Sequence, residues 1–378
     1  MEQEKRLGTL DGFRAIAILA VIGFHYFVRW TPPDTDSTLY PYGSYFAKFP
    51  LFNYGYLGVE IFFIISGFVI AMTLFRSHSM ANFVRRRFSR LFPTMLLCSV
   101  ATYTALHLLP QTAFHPSWRD FFPSLTFTDP IFWRAIFRGR VQPMDGVYWS
   151  LFVEVKFYFW IGLLYFGLRG RNFFLAVAAG FGVLLGLLAV MRLLQLPHTW
   201  LIEFVFAADS LPWFVSGIAF FSLYSSPQSM MGWLLLGEAL IGLLVLSVGK
   251  GSAVANATAL VLGYSLFLAM LYRPFLVRWC GSAPLTAVGT ASYSLYLLHQ
   301  EIGVSLLQWL SNTGLLSMHP WLGLAVAGAL VVVMILLSLA IYRYWEAPAK
   351  SWLMGLRVQP TLWASQHGSI AASARSEK

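Results

Sequence analysis

Leu10-Asp11-Gly12-Phe13-Arg14-Ala15-Ile16-Ala17-Ile18-Leu19-Ala20-Val21-Ile22-Gly23-Phe24-His25 reads as a membrane-spanning helix with a cation near its start and an imidazole near its end. Arg14 and His25 lie eleven residues apart. On a helix this is about three turns and a rise of roughly 16 Å, so the two side chains project from nearly one face at different depths. A segment serving only as an anchor needs neither. An ionisable side chain in mid-bilayer costs about 2.5–3.5 kcal/mol on insertion scales, and it persists where it is paired, wetted or chemically employed.

The rest of the chain sets the same solvent. It is 58% hydrophobic and 11% charged, with a mean hydropathy of +0.65. Apolar runs long enough to cross a bilayer recur from end to end, giving about ten candidate spans: 10–30, 55–75, 91–109, 147–168, 172–194, 200–224, 231–249, 253–272, 285–310 and 321–344. The expected fold is an all-α polytopic membrane bundle in one domain, 1–357, followed by a disordered tail, 358–378, rich in Ser, Ala and Gln. With the N-terminus inside, most of the 26 Lys and Arg residues fall on the same side as both termini, which the positive-inside rule assigns to the cytoplasm. The net charge of +10 then needs no nucleic-acid partner. The N-terminus lacks a small-residue cleavage site and reads as a retained first span rather than a signal peptide. Cys98 and Cys280 are isolated, so no disulfide framework is expected.

Chemistry in such a chain is sought among the polar residues inside the spans: Arg14, His25, Glu60, Glu154, Lys156, Glu203, Asp209, Glu238 and His299. Counting residues from the inner ends of their helices puts His25, Glu154 and His299 at one level, roughly 21–23 Å above the cytoplasmic boundary. Glu60 and Asp209 fall at similar heights. Imidazoles level with a carboxylate suit proton transfer, since histidine accepts a hydroxyl proton near neutral pH and a carboxylate can orient the ring. The alternative is that each polar side chain makes an ordinary helix–helix hydrogen bond. No metal site is expected, because the histidines lack paired ligand spacings and no Cys joins them.

Two outer loops, 31–54 and 110–146, stand out. The second interleaves Trp118, Phe121, Phe122, Phe127, Phe132 and Trp133 with Arg119, Arg134, Arg138 and Arg140. This composition fits a cradle for a sugar or phosphorylated lipid, or an interfacial helix lying on the membrane.

Six blocks, in order, give the chain a resemblance to the acyltransferase 3 family of integral membrane acyltransferases, over nearly all of residues 8–352. They are Leu10-Asp11-Gly12-Phe13-Arg14 with ten residues before His25; Gly58-Val59-Glu60-Ile61-Phe62-Phe63-Ile64-Ile65-Ser66-Gly67-Phe68; and Arg86-Arg87-Phe88-Ser89-Arg90-Leu91-Phe92-Pro93. Then come Tyr148-Trp149-Ser150-Leu151 with Glu154; Ser292-Tyr293-Ser294-Leu295-Tyr296-Leu297-Leu298-His299; and Trp345-Glu346-Ala347-Pro348. Lys156 and Ala347 depart from the residues usual in the family at those places.

The resemblance implies transfer of an acyl group, commonly acetyl, from acyl-coenzyme A to a hydroxyl, often on a surface or exported glycan, in the bacterial inner membrane. Joined to the depth count, it makes His25 the base or nucleophile, Glu154 the group that orients it, and His299 a second catalytic candidate. Arg14, Arg86, Arg87 and Arg90 are the candidates for the phosphates of coenzyme A, because the planar guanidinium matches phosphate and stays charged. Asp11, Glu60, Ser66, Trp149, Ser150, Tyr158 and Tyr296 are expected to bind substrate, with Ser150 or Tyr158 fixing Glu154. Phe62 and Phe63 are expected to face lipid or other helices. The rival reading is a proton-coupled transporter or flippase of a glycan or lipid-linked substrate, which would also carry intramembrane His and Glu but would need no coenzyme A.

Overall fold

A computed structural model describes residues 2–30, 45–109, 113–247, 253–313 and 320–355. The tail expected at 358–378 and residues 31–44 of the first outer loop lie outside the described residues. Every regular element among those described is helical. This suits a chain in lipid, where a helix satisfies its backbone polar groups within its own segment.

The principal helices are α1 (Glu2–Phe24), α2 (Gly58–Phe75), α3 (Met80–Leu108), α4 (Trp149–Gly167), α5 (Phe173–Leu193), α6 (Thr199–Phe206), α7 (Leu211–Ser225), α8 (Met230–Ser247), α9 (Ala253–Tyr272), α10 (Ala283–Thr290), α11 (Ser292–Leu298), α12 (Glu301–Asn312) and α13 (Pro320–Ile341). Among the described residues, eight segments are long and apolar enough to cross a membrane. The expected span at 231–249 corresponds to α8, whose apolar core, Met230–Leu246, is shorter than those eight.

The expected span at 285–310 is broken into α10, α11 and α12, and the second break has a visible cause. In an unbroken helix the Glu301 amide would donate to the carbonyl of Leu297. Here the Glu301 amide donates to Asp145 Oδ2 at 3.0 Å, while the Leu297 carbonyl accepts from the Tyr148 hydroxyl at 3.3 Å. Tertiary hydrogen bonds replace one rung of the ladder, and His299 and Gln300 sit at that step.

Close backbone approach holds the first helix in the bundle. A Cβ on Gly289 would lie 1.8 Å from the Asp11 carbonyl oxygen, so α10 packs directly on the backbone of α1. Between α2 and α7 the contact is reciprocal: Gly67 meets the Phe214 carbonyl and Gly217 meets that of Ile64. Small residues let helices approach to backbone distance, which is how membrane helices gain packing energy without a hydrophobic drive between them. Residues of α1, α2, α3, α4 and α11 line one cavity within this bundle. Cys98 and Cys280 are both free and buried.

Candidate active site

His25 sits where α1 ends and a wider π-helical turn, His25–Arg29, begins. Its Nδ1 lies 2.9 Å from the Val21 carbonyl, the oxygen that the helix's own ladder uses one turn earlier. A side chain competing for an i−4 carbonyl loosens the local ladder, and π-turns of this kind recur at functional sites. His299 comes from the break between α11 and α12 and is fully buried.

The two rings meet. His299 Nε2 is 3.2 Å from His25 Nδ1, with centroids 5.0 Å apart and planes at 65°. His299 Nδ1 lies 2.8 Å from the Tyr296 carbonyl. The network therefore assigns the tautomers: His299 donates from Nδ1 and presents a lone pair at Nε2, while His25 shares its Nδ1–H between Val21 and His299. The lone pair of His25 is then on Nε2. The Tyr26 hydroxyl donates to the His299 carbonyl at 3.0 Å, fixing the second histidine's backbone as well.

Beside this pair lies a cavity of about 70 Å³, lined by Arg14 of α1, Val59, Phe62, Phe63, Ile65 and Ser66 of α2, Arg90 and Leu91 of α3, Ser150, Leu151, Glu154 and Tyr158 of α4, and Ser292, Tyr293 and Tyr296 of α11. It extends to Tyr296, whose ring centroid is 5.6 Å from that of His299. The Tyr296 hydroxyl pairs with Ser150 Oγ at 2.8 Å and reaches the Val147 carbonyl at 3.0 Å. Glu154 is engaged by the hydroxyls of Ser66 and of Tyr158, the latter at 2.6 Å.

Placement sorts the residues chosen from sequence. Arg14, Arg90, Ser66, Ser150, Glu154, Tyr158 and Tyr296 share the cavity wall. Tyr158 is the residue that fixes Glu154, whereas Ser150 is engaged with Tyr296. The imidazole neighbour of His25 is His299, while Glu154 is held within the cavity by Ser66 and Tyr158. Asp11 accepts from Arg14 at 2.7 Å. Glu60 stands in the first turn of α2, adjacent to the wall residue Val59. Trp149 is half exposed, its ring 6.1 Å from Phe63.

The other two arginines lie elsewhere. Arg86 is exposed and donates to Asn82 at 2.9 Å. Arg87 is buried, donating to Thr73 and to the Val69 carbonyl, with its guanidinium 5.3 Å from the Tyr158 ring centre. Adjacent residues on a helix point about 100° apart, so a run of arginines cannot all face one cavity. Phe62 and Phe63 form part of the wall, where lipid or helix contact alone was expected. Phe62 packs edge-on to Tyr296 at 6.1 Å, which places it toward the polar interior.

The sequence reading missed Tyr293 and Asp145. Tyr293 lines the cavity and donates to the Leu91 carbonyl at 3.0 Å. Asp145 is fully buried in the approach to α4, and burial pushes its carboxyl above the ordinary range. Among the described residues, no group of three or more His, Cys, Asp or Glu is placed to hold a metal ion.

A multi-pass helical bundle with Arg14, Arg90 and Glu154 lining one cavity, and two imidazoles in contact beside it, defines a polytopic membrane protein with ionisable groups gathered in its interior. The chain belongs to the acyltransferase 3 family: the family profile, described as an acyltransferase domain, matches residues 7–343. The peptidoglycan O-acetyltransferase OatA of Listeria monocytogenes is 24% identical over 356 residues, covering 79% of this chain and 49% of that protein. The O-acetyltransferase OatA of Staphylococcus aureus is 26% identical over 173 residues, covering 42% of this chain and 24% of that protein. The matches therefore span about half or less of the length of these curated relatives. No solved structure matches the chain.

Proposed function

We propose that this protein is a membrane O-acyltransferase that moves an acyl group, acetyl in the first instance, from cytoplasmic acyl-coenzyme A to a hydroxyl of an exported or surface glycan. The observation that carries the reading is the His25–His299 contact beside a chamber walled by Arg14 and Arg90. The relatives named for peptidoglycan make a cell-wall glycan the first acceptor to test. The protein lies in the bacterial inner membrane with both termini in the cytoplasm, the side on which coenzyme A is made.

Arg14 and Arg90 bind the donor's phosphates, and the pantetheine arm extends toward Tyr296 and the imidazoles. The roughly 16 Å rise between Arg14 and His25 suits the reach of that arm. His25 takes the acceptor's hydroxyl proton at Nε2 while the alkoxide oxygen attacks the thioester carbonyl. His299, accepting from His25 Nδ1–H at Nε2, orients the ring and stabilises the imidazolium. Collapse of the tetrahedral intermediate breaks the carbon–sulfur bond, and the proton leaves with the thiolate. One ester forms, one thioester breaks, and His25 returns neutral. A variant path, in which His25 first takes the acyl group, balances equally and uses the same atoms. Glu154, held by Ser66 and Tyr158, sets the charge of the chamber opposite Arg14 and Arg90, and Glu60 serves the acceptor side.

The test uses membrane vesicles carrying the full chain, labelled acetyl-coenzyme A and cell-wall glycan. Glycan-bound label released by mild base, and lost with His25→Ala, is the expected result. A purified protein whose thermal stability is unmoved by coenzyme A or acetyl-coenzyme A, and which leaves no acyl mass on surface glycans, would sink the proposal and favour transport.

A further inference from the structure

Asp145 is a buried carboxylate outside the cavity wall, and it accepts hydrogen bonds from backbone and side-chain N–H groups. Oδ1 accepts from the Val147 amide at 3.0 Å and from Gln300 Nε2 at 3.0 Å, and Oδ2 accepts from the Glu301 amide at 3.0 Å. The contact is reciprocal, because Glu301 Oε1 accepts from the Gly146 amide at 3.1 Å. Two segments far apart in sequence are thereby stapled, the turn leading into α4 and the step immediately after His299. Tyr148 and Tyr296 continue the seam, reaching the carbonyls of Leu297 and Val147.

The staple replaces the rung of the ladder that an unbroken helix would make at Glu301. His299 is the last residue before the step, and its ring is aimed by the Tyr296 carbonyl on one side and His25 on the other. We infer that Asp145, seconded by Glu301, is a positioning residue for the transfer reaction: it holds the α11–α12 break open so that His299 Nε2 meets His25 Nδ1. The inference rests on the reading of the imidazole pair as the reacting groups. Two features single out Asp145 among buried polar residues. It accepts across the break from both Gln300 and Glu301, and a carboxylate that accepts three N–H bonds has no apolar substitute.

Removal of the carboxylate frees the Glu301 amide to return to Leu297, which closes the break and swings His299. Misplacement of a reacting group by about 1 Å costs about a hundredfold in rate. For the full chain in nanodiscs, Asp145→Ala should lower kcat by about a hundredfold, with the KM for acyl-coenzyme A and the thermal shift it induces changed by less than about twofold. Asp145→Asn keeps one carbonyl oxygen for Val147 and Gln300 but turns an amide toward the Glu301 N–H, so it should recover about tenfold of the loss. A double variant, His299→Ala with Asp145→Ala, should be no slower than His299→Ala alone, because a residue acting through His299 has nothing left to act on. Hydrogen exchange at residues 299–303 reports the staple directly and should quicken in Asp145→Ala.

Wild-type kcat in Asp145→Ala, or full additivity with His299→Ala, overturns the inference and leaves the proposed function standing. Normal transfer by well-folded His25→Ala and His299→Ala overturns the proposed function and this inference together.

Discussion

The two ends of the chamber are built differently. At the imidazole end, nearly every group is fixed from another part of the chain: His299 by His25 and Tyr26, Tyr296 by Ser150 and Val147, and the break after His299 by Asp145. At the arginine end, Arg14 is tied to Asp11, its neighbour on the same helix. Long-range bonds fix an atom in the frame of the whole bundle, whereas local ones leave a long side chain free to swing with its helix face. A reacting group needs the first kind of restraint, since rate depends on geometry realised before the reaction begins. A site for a flexible, multiply charged donor tolerates the second.

The contrast breaks first, and most severely, at His25. His25→Ala should lower transfer about 10³-fold, the middle of the range for a general acid–base group. Expression and thermal stability should stay close to wild type, because α1 is held by α10 rather than by the imidazole. Quantified base-labile acyl groups per folded protein give the measurement, and normal acylation by a well-expressed variant would falsify the base or nucleophile role.

The next effect is structural and sharpens the reason that the imidazole end is rigid. Gly289→Ala places a Cβ 1.8 Å from the Asp11 carbonyl oxygen, so α1 and α10 must part. Overpacking of this kind costs about 1–3 kcal/mol. The melting temperature in detergent should drop, and both donor binding and turnover should suffer, since Arg14 and His25 ride on α1. A variant as stable as wild type would show that α1 is held by something other than this contact.

Arg14→Lys probes the looser end. A point charge replaces a planar fork of donors, so the KM for acyl-coenzyme A should rise about tenfold while kcat changes little. If kcat fell and KM did not, Arg14 would belong with the reacting groups and the division between the two ends would fail.

What the sequence disclosed follows the same division. The helical character and the family blocks were legible because each is local: apolar runs of bilayer length, an Arg and a His on one helix face, and a Ser-Tyr-Ser-Leu-Tyr-Leu-Leu-His segment. The level shared by His25 and His299 came from counting along two helices, and their facing ring nitrogens lie 3.2 Å apart. Asp145 was invisible because nothing near it in sequence marks it. Set before Gly146 at a loop end, it reads as a turn residue, and its partners Gln300 and Glu301 follow 155 residues and more later. The continuous span expected at 285–310 failed for the same reason, since hydropathy does not register a helix broken from outside. Of Arg86, Arg87 and Arg90, Arg90 alone lines the chamber, because clustering in sequence does not mean clustering in space.

That last point yields the smallest effect, and its smallness is the test. Arg86 is exposed and Arg90 lines the chamber, although they are one helical turn apart on α3. Arg86→Ala removes a surface cation whose influence on a phosphate in the chamber is screened within about 10 Å at ordinary salt. The KM for acyl-coenzyme A should therefore move by less than about twofold, and raising the salt concentration should abolish even that. Arg90→Ala, measured in parallel, should raise KM several times more. Equal effects from the two would mean that the donor's phosphates rest on the outer surface of α3 rather than inside the chamber, and the looser end would lie outside the bundle.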